Sequence, residues 1–594
     1  MPMQWVHGYG ESMRGGTASV RRMGLMLAMA GFLSGCGEPD PGPGTIRHGS
    51  ESQEIDKDRS HRTGDFPAKV FHYSYSFDLR PTQDSSRQAH SGLLMSVPSP
   101  GGDCTVLKGP PGLTRVLWNG APASRVEPLA DGALRICGLP VSEGHLLFIE
   151  ADVTVPEMTY DYTQVGFSRR QDRKGNTFSY LMSWVEQCDR LGLCDDAPGR
   201  LATFSFEVQH AENDVVLCPG QLFRDSPTET FCLIGPGRQA PTYSAFAIAS
   251  NPAWVKTLFA QAGATRLEFY EVPGGLLAPA LNPADFTDYL GWLKSLLGPL
   301  PYGDTLRVVG GPTEFLGMEH PANIVLREDL PLLRSEYANG PRHTLMHEIA
   351  HQWSGNRTTM AEAYDFAWKE AIAEYLSYVY EAQKWPSDAA RTRVYWDRMA
   401  RSAMFYPKPA DHPEPFLTFA ADVYGTGPMI FFLQLETLLP GGQADVVEGI
   451  QHFLSVPGVR DTEQLRSSLE QAAGLPEGSL WGYFDAWVYG SGEPDWPYFD
   501  VTTEQVDGQL TLTATQQSYE GGIYPVAVTV RVRGETQTKD VVLNYGLAPT
   551  SGTLSVTVPF PEPVLQVSVD PDSRVVNRRF FGALEEAAPP RWHF

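Results

Sequence analysis

His347, Glu348 and His351 stand within the run His-Glu-Ile-Ala-His, and such a spacing has a use only on a helix, where residues four apart share one face. On that face two imidazoles can meet one ion. Glu348 would lie beside the ion, placed to take a proton from a bound water. The chain has 14 histidines, so this five-residue pattern arises by chance about 0.02 times, and alone it is only suggestive. Glu370 adds weight: it follows His351 with 18 residues between them, inside Trp368-Lys-Glu-Ala-Ile-Ala-Glu-Tyr375. That amphipathic run can form a second helix antiparallel to the first. Two imidazoles and one carboxylate leave the fourth position of a tetrahedral zinc free for water, the arrangement of catalytic rather than structural zinc. The sequence therefore predicts one zinc ion per chain on His347, His351 and Glu370, and a fold that sets two helices side by side.

The rest of the chain reads as several units, since 594 residues exceed what one core serves. Residues 1–36 form an export signal. Arg14, Arg21 and Arg22 precede the apolar run Met23–Phe32, which is too short to span a bilayer stably. Leu33-Ser34-Gly35-Cys36 follows, and small residues before a Cys at that place resemble the lipobox of bacterial lipoproteins. The resemblance implies lipid on Cys36 and an extracytoplasmic chain anchored to a bacterial cell membrane, periplasmic or at the cell surface. Residues 37–66 are polar and turn-rich and read as a flexible linker. Short alternating runs such as Phe71–Leu79 and Leu146–Val155 make 67–277 a β domain. Helical periodicity then dominates 278–495, at Asp285–Leu297, His343–Trp353, Asp365–Trp385 and Pro428–Leu439. Pro341 and Pro428 lie just inside two of the helix starts. Five alternating strands from Gln509 to Val569 predict a β-sandwich over 496–594.

Setting Cys36 aside, six cysteines remain, at 104, 137, 188, 194, 218 and 232. Six allow 15 pairings; sequence proximity favours 104–137, 188–194 and 218–232, as structural disulfides in an oxidising compartment. None has a C-x-x-C spacing, which argues against a second metal site. A formal charge of −24 without a basic stripe excludes nucleic acid as a partner.

His347-Glu-Ile-Ala-His-Gln-Trp-Ser-Gly-Asn356, followed at this distance by Trp-Lys-Glu-Ala-Ile-Ala-Glu-Tyr, resembles the aminopeptidase N and leukotriene-hydrolase family of gluzincins. Gly317-Met318-Glu319-His320 is similar to the end of that family's G-A-M-E-N element, which implies that Gly317, Met318 and Glu319 bind the substrate's free amino terminus. Val423-Tyr424-Gly425-Thr426-Gly427 is similar to its V-Y-x-K-G, which gives Tyr424 the role of stabilising the tetrahedral intermediate. Tyr180–Glu186 and Cys194–Phe204 resemble the N-terminal stretch that also reaches the substrate amine, with Glu186 the best match. The resemblance implies a multidomain α+β protein: a saddle-like β domain, a thermolysin-like α-rich catalytic domain and a C-terminal β-sandwich. It implies a zinc aminopeptidase with Glu348 as general base, acting on peptides with a free N-terminus. Three positions depart from the family. His320 replaces an Asn, and when protonated it would compete for Glu319; Thr426 replaces a Lys; and Lys369-Glu370-Ala371 replaces N-E-G.

His343, one turn before His347, reads as a supporting residue rather than a ligand, and Trp353 as core. A zinc endopeptidase or an epoxide hydrolase can be built on the same site. The rival of another class is a lipid-anchored peptide-binding protein with little turnover, which would have no use for Glu348.

Overall fold

The computed structural model describes residues 65–130, 132–158, 165–235, 239–243, 245–410 and 427–579. Cys36, Tyr424 and Thr426 lie outside the described residues. Among the described residues no helix is long and apolar enough to cross a membrane.

Alternation governs the N-terminal part. In the strand Val70–Asp78 the side chains of Tyr73, Tyr75 and Phe77 turn inward and are each 1% exposed. This strand pairs antiparallel with Ser86–Ser96, which pairs in turn with Leu146–Pro156. On its other side it runs parallel to Thr203–Gln209, so Phe204 and Phe206 join the same aromatic face and Phe246 packs across it. The disulfides are Cys104–Cys137, Cys188–Cys194 and Cys218–Cys232. The first joins directly opposed residues of Gly102–Lys108 and Ala133–Val141.

A five-stranded sheet leads into the helices. Thr265–Glu271, Thr305–Gly311 and Asn323–Arg327 run parallel, flanked by the antiparallel Val255–Ala262 and Gly317–Met318. This sheet joins strands on both sides of the expected boundary at 277. The β texture of Val255–Glu271 resembles the strands before it, but its partners lie in the segment after it.

Helix α1 (Pro283–Leu297) opens with Pro283 in its first turn, and the Asn282 side chain accepts from the Ala284 N–H. Helix α2 (Gly340–Ala350) starts the same way, with Pro341 and an Asn339 cap on the Arg342 N–H. Helix α3 (Phe366–Lys384) follows a capping box of Glu362 and Asp365, and α4 (Pro386–Arg401) packs on it. Sixteen residues of α3 are buried, so it is a core helix with little polar face. Further helices, including Ile430–Leu438, close this region. It is followed by two three-stranded sheets: Tyr498–Val506, Gln509–Gln517 and Thr553–Pro559 in one, Thr538–Asn544, Ala527–Arg533 and Gln566–Val569 in the other. Leu510, Leu512 and Val528, Val530 and Val532 are fully buried in a core shared with the helices.

Candidate metal centre

Helix α2 ends at Ala350, three residues earlier than its apolar periodicity extends, because the chain turns through Ser354 and Gly355, the latter at φ +119°. His351 is the cap residue and keeps helical dihedrals, φ −60° and ψ −17°. It therefore stays on the face of His347 one turn earlier. Helix α3 lies against α2, and a single buried hydroxyl helps fix them: Tyr289 of α1 donates to the Met346 carbonyl at 3.0 Å and sits 3.3 Å from Ser377 Oγ on α3. The apposition brings Glu370 to the two histidines.

The three donor atoms form a tight triangle. His347 Nε2 and His351 Nε2 are 2.9 Å apart, and each lies 3.2 Å from Glu370 Oε2. The other ring nitrogens define the tautomers. His351 Nδ1 lies 2.7 Å from the Ser354 carbonyl, which can only accept, so Nδ1 carries the hydrogen. His347 Nδ1 lies 2.9 Å from Glu374 Oε2 and donates likewise. Two imidazole lone pairs and one carboxylate lone pair thus converge, an arrangement that is repulsive until a cation takes all three. Around a tetrahedral ion with bonds of about 2.0–2.1 Å, ligand atoms are about 3.3–3.4 Å apart. The observed spacings of 2.9–3.2 Å fit zinc.

Glu374, one turn beyond Glu370, was not singled out by the ligand spacing, and it organises the surroundings. Besides His347 it accepts from His343 Nε2 at 2.9 Å, Trp396 Nε1 at 3.1 Å and the Tyr337 hydroxyl. Burial works against its charge, but the His343 and His347 contacts hold its carboxyl well below the usual carboxylate range. His343 donates from its other nitrogen to Glu381 at 2.8 Å. Burial disfavours its charge, yet Glu374 and Glu381 prevail and raise it to about 9. Arg342 completes the chain, bonded to Glu381 and Asp388 and lying 3.7 Å over the Trp385 ring. The signal that could have found Glu374 is its i+4 relation to Glu370 on the same helix.

Glu348 points to the same place from α2. Its Oε2 is buried and accepts no hydrogen bond from the protein, which leaves a lone pair beside the triangle. Burial, then the charges of Glu319 and Glu370, push its carboxyl up to about 8 against the pull of His347; a dication nearby acts the other way. The edge strand Gly317–Met318 closes over it. A Cβ on Gly317 would lie 2.3 Å from Glu348 Oε1, so only glycine permits this approach. Met318 is 9% exposed and packs into the core beneath.

Glu319 is 4% exposed, and its carboxylate, Glu348 and His351 offer donor atoms all within 4.8 Å of one another. Its partner is Lys369, 2.5 Å away. His320 is fully buried, and burial lowers its imidazole to about 4. It stays neutral at ordinary acidic pH, which corrects the expectation that it competes for Glu319. Burial, then the charge of Asp196, raises the Glu186 carboxyl above its ordinary value against the pull of Lys108. The Glu186 backbone is left-handed, at φ 59°. Tyr424 lies outside the described residues.

No curated protein matches the chain. Residues 299–484 match the model of the peptidase family M1 domain, and they contain α2, α3 and the three converging donors. Over residues 299–484 the chain is thus similar to the domain of peptidase family M1, whose members are zinc-dependent metallopeptidases.

Proposed function

We propose that the chain is a zinc-dependent peptidase in which Glu348 is the general base. The observation that carries this reading is the convergence of three lone pairs, from His347, His351 and Glu370, with the unpartnered Oε2 of Glu348 beside them. When bound there, zinc would supply Lewis acidity, polarising a carbonyl and acidifying water. Glu348 accepts the proton of the attacking water and delivers it to the leaving amine nitrogen, so the peptide bond breaks without net gain or loss of protons. Tyr424 would donate a hydrogen bond to the developing oxyanion, a contribution typically worth ~3 kcal/mol. Glu374 and the Ser354 carbonyl keep both imidazoles in the tautomer that presents Nε2.

Removal of N-terminal residues is the form of this reading that the resemblance supports, with Glu319 as the amine-side carboxylate. Glu186 is the further amine-side carboxylate that the same resemblance implies. Attachment to a membrane through lipid on Cys36 belongs to the same proposal and rests on the Leu-Ser-Gly-Cys run alone.

Glu348→Gln tests the mechanism. It keeps the volume and removes the base, so the variant should retain one zinc per chain while hydrolysis of fluorogenic peptides falls by about 10²–10⁴-fold. Undiminished hydrolysis by that variant, or a purified wild type that binds no zinc, removes the reading. A wild type that binds peptides with zinc loaded but never turns them over supports the binding-protein rival.

A further inference from the structure

A cavity of about 230 Å³ is lined by none of the metal-centre residues. It opens at the carboxyl ends of the three parallel strands. Glu271 ends the first, Gly310 lies one residue short of the end of the second, and Glu328 follows the third. That end of a parallel sheet is where α/β proteins hold small ligands. The turn Asp172–Asn176, between the paired strands Gly166–Gln171 and Thr177–Met182, supplies the other wall. Its shape is fixed by the buried Asp172 carboxylate, which accepts from the Lys174 N–H at 2.8 Å, the Asn176 N–H at 2.9 Å and Asn251 Nδ2 at 2.8 Å. The Arg173 N–H donates to Glu328 Oε1 at 3.0 Å and ties the turn to the sheet.

The charged side chains around this space come in opposite pairs. Arg173 and Lys174 line it, are exposed, and form no ion pair with another described residue. Glu271 and Glu328 line it from the sheet. Glu271 is held in place by the N–H groups of Leu277 and Ala278, at 2.9 and 3.0 Å. Burial raises the Glu328 carboxyl to about 7, against the Arg173 N–H and with the charge of Asp172 added. A positive charge set beside Glu328 would favour its ionised form. Val272 and Leu276 add a small apolar wall. Gly310 keeps the floor open, since a Cβ there would fall 3.2 Å from Leu277 Cδ1 and 3.3 Å from Glu271 Cγ.

The volume lies below the roughly 300–1,000 Å³ of sites for drug-sized ligands, so the occupant is small. A simple anion would match Arg173 and Lys174 but stand against two carboxyls. A simple cation would match the carboxyls and stand against the two cations. A compact molecule bearing both charges answers both pairs, and an aliphatic group on it would meet Val272 and Leu276.

We propose that this cavity binds a free α-amino acid with an aliphatic side chain, its carboxylate against Arg173 and Lys174 and its ammonium against Glu328 and Glu271. The site is separate from the zinc centre, and the proposal does not depend on the peptidase reading.

Calorimetric titration of the zinc-loaded full chain with L-leucine tests it. Wild type should bind with a Kd of about 0.1–1 mM, within the limit for so small a ligand. Isocaproate, which is leucine without its amino group, and isoamylamine, which lacks the carboxylate, should each bind at least about fivefold more weakly. The competing explanation is leucine held at the zinc centre, and substitutions outside that centre separate the two. Glu328→Gln and the double variant Arg173→Ala, Lys174→Ala should keep their zinc while leucine binding weakens at least about fivefold. Absence of leucine binding by wild type overturns the proposal, as does isocaproate or isoamylamine binding as tightly as leucine; neither result needs a variant. Unchanged leucine binding in either zinc-loaded variant overturns it as well and assigns the ligand to the zinc centre.

Discussion

Glu374→Gln is the perturbation that best separates a supporting network from incidental packing. The carboxylate receives four donors, with His347 on Oε2 and His343, Trp396 and Tyr337 on Oε1. Glutamine keeps the volume but replaces one acceptor oxygen with an NH₂ donor. Placed at the Oε1 position, that group would face three donors; placed at Oε2, it faces only His347 Nδ1. The second orientation costs less, and it favours moving the His347 proton from Nδ1 to Nε2, the atom that must present a lone pair to the metal. Loss of such an orienting partner typically weakens metal binding by about 10–100-fold, or about 1.4–2.8 kcal/mol. Competition for zinc against a chromogenic chelator at neutral pH measures this. The control is Glu381→Gln, which touches His343 and Arg342 but not His347. It should lower stability by about 3–5 kcal/mol by leaving buried charge unpaired, while zinc affinity changes by less than about threefold. Zinc affinity in Glu374→Gln within about threefold of wild type would refute the assignment of Glu374 to tautomer control.

The elevation of His343 to about 9 has a defined sign. Its folded value exceeds its unfolded one, so the stabilisation is complete below about pH 6.5, declines from there to about pH 9, and is worth up to roughly 3 kcal/mol. Urea unfolding of the metal-free protein across that window should show the decline, and His343→Gln should flatten it. Gly317→Ala should retain zinc yet lose about 10–100-fold in kcat, because its Cβ displaces Glu348; unchanged kcat means that the edge strand yields instead. Mature chain should carry lipid on Cys36 by mass spectrometry and fractionate with membranes, and Cys36→Ser should do neither; an unmodified Cys36 removes the anchor.

What the sequence made legible was whatever local periodicity controls. His347 and His351 are related by one helical turn. The sheets of the C-terminal part show as clean alternation at Gln509–Gln517 and Ala527–Arg533. Cysteines close in sequence proved to be paired in space, since adjacent antiparallel strands bring near neighbours opposite one another. Elements on edges were harder to read. Tyr498–Val506 has little alternation because most of it faces solvent, and it was not among the expected strands. It pairs along its whole length with Gln509–Gln517 through a turn in which Asp507 and Gly508 both have positive φ, a sequence signal that was present. The environment of Glu186 was not legible, because Asp196 and Lys108 come to it by tertiary folding. Lys369 could be read as a departure from the family's residues, but not that it would turn back to pair with Glu319, fifty positions earlier in the chain.

Charge balance explains why these residues form one set. Five buried carboxylates, Glu319, Glu348, Glu370, Glu374 and Glu381, are linked through ion pairs and the metal triangle to three buried cations, Arg342, His343 and Lys369. Among these buried groups carboxylates outnumber cations, and a cation at the point where His347, His351 and Glu370 converge reduces the excess. A buried excess of either sign is costly, so a dication in the network favours the ionised form of Glu348. That coupling ties the proton affinity of the base to the metal.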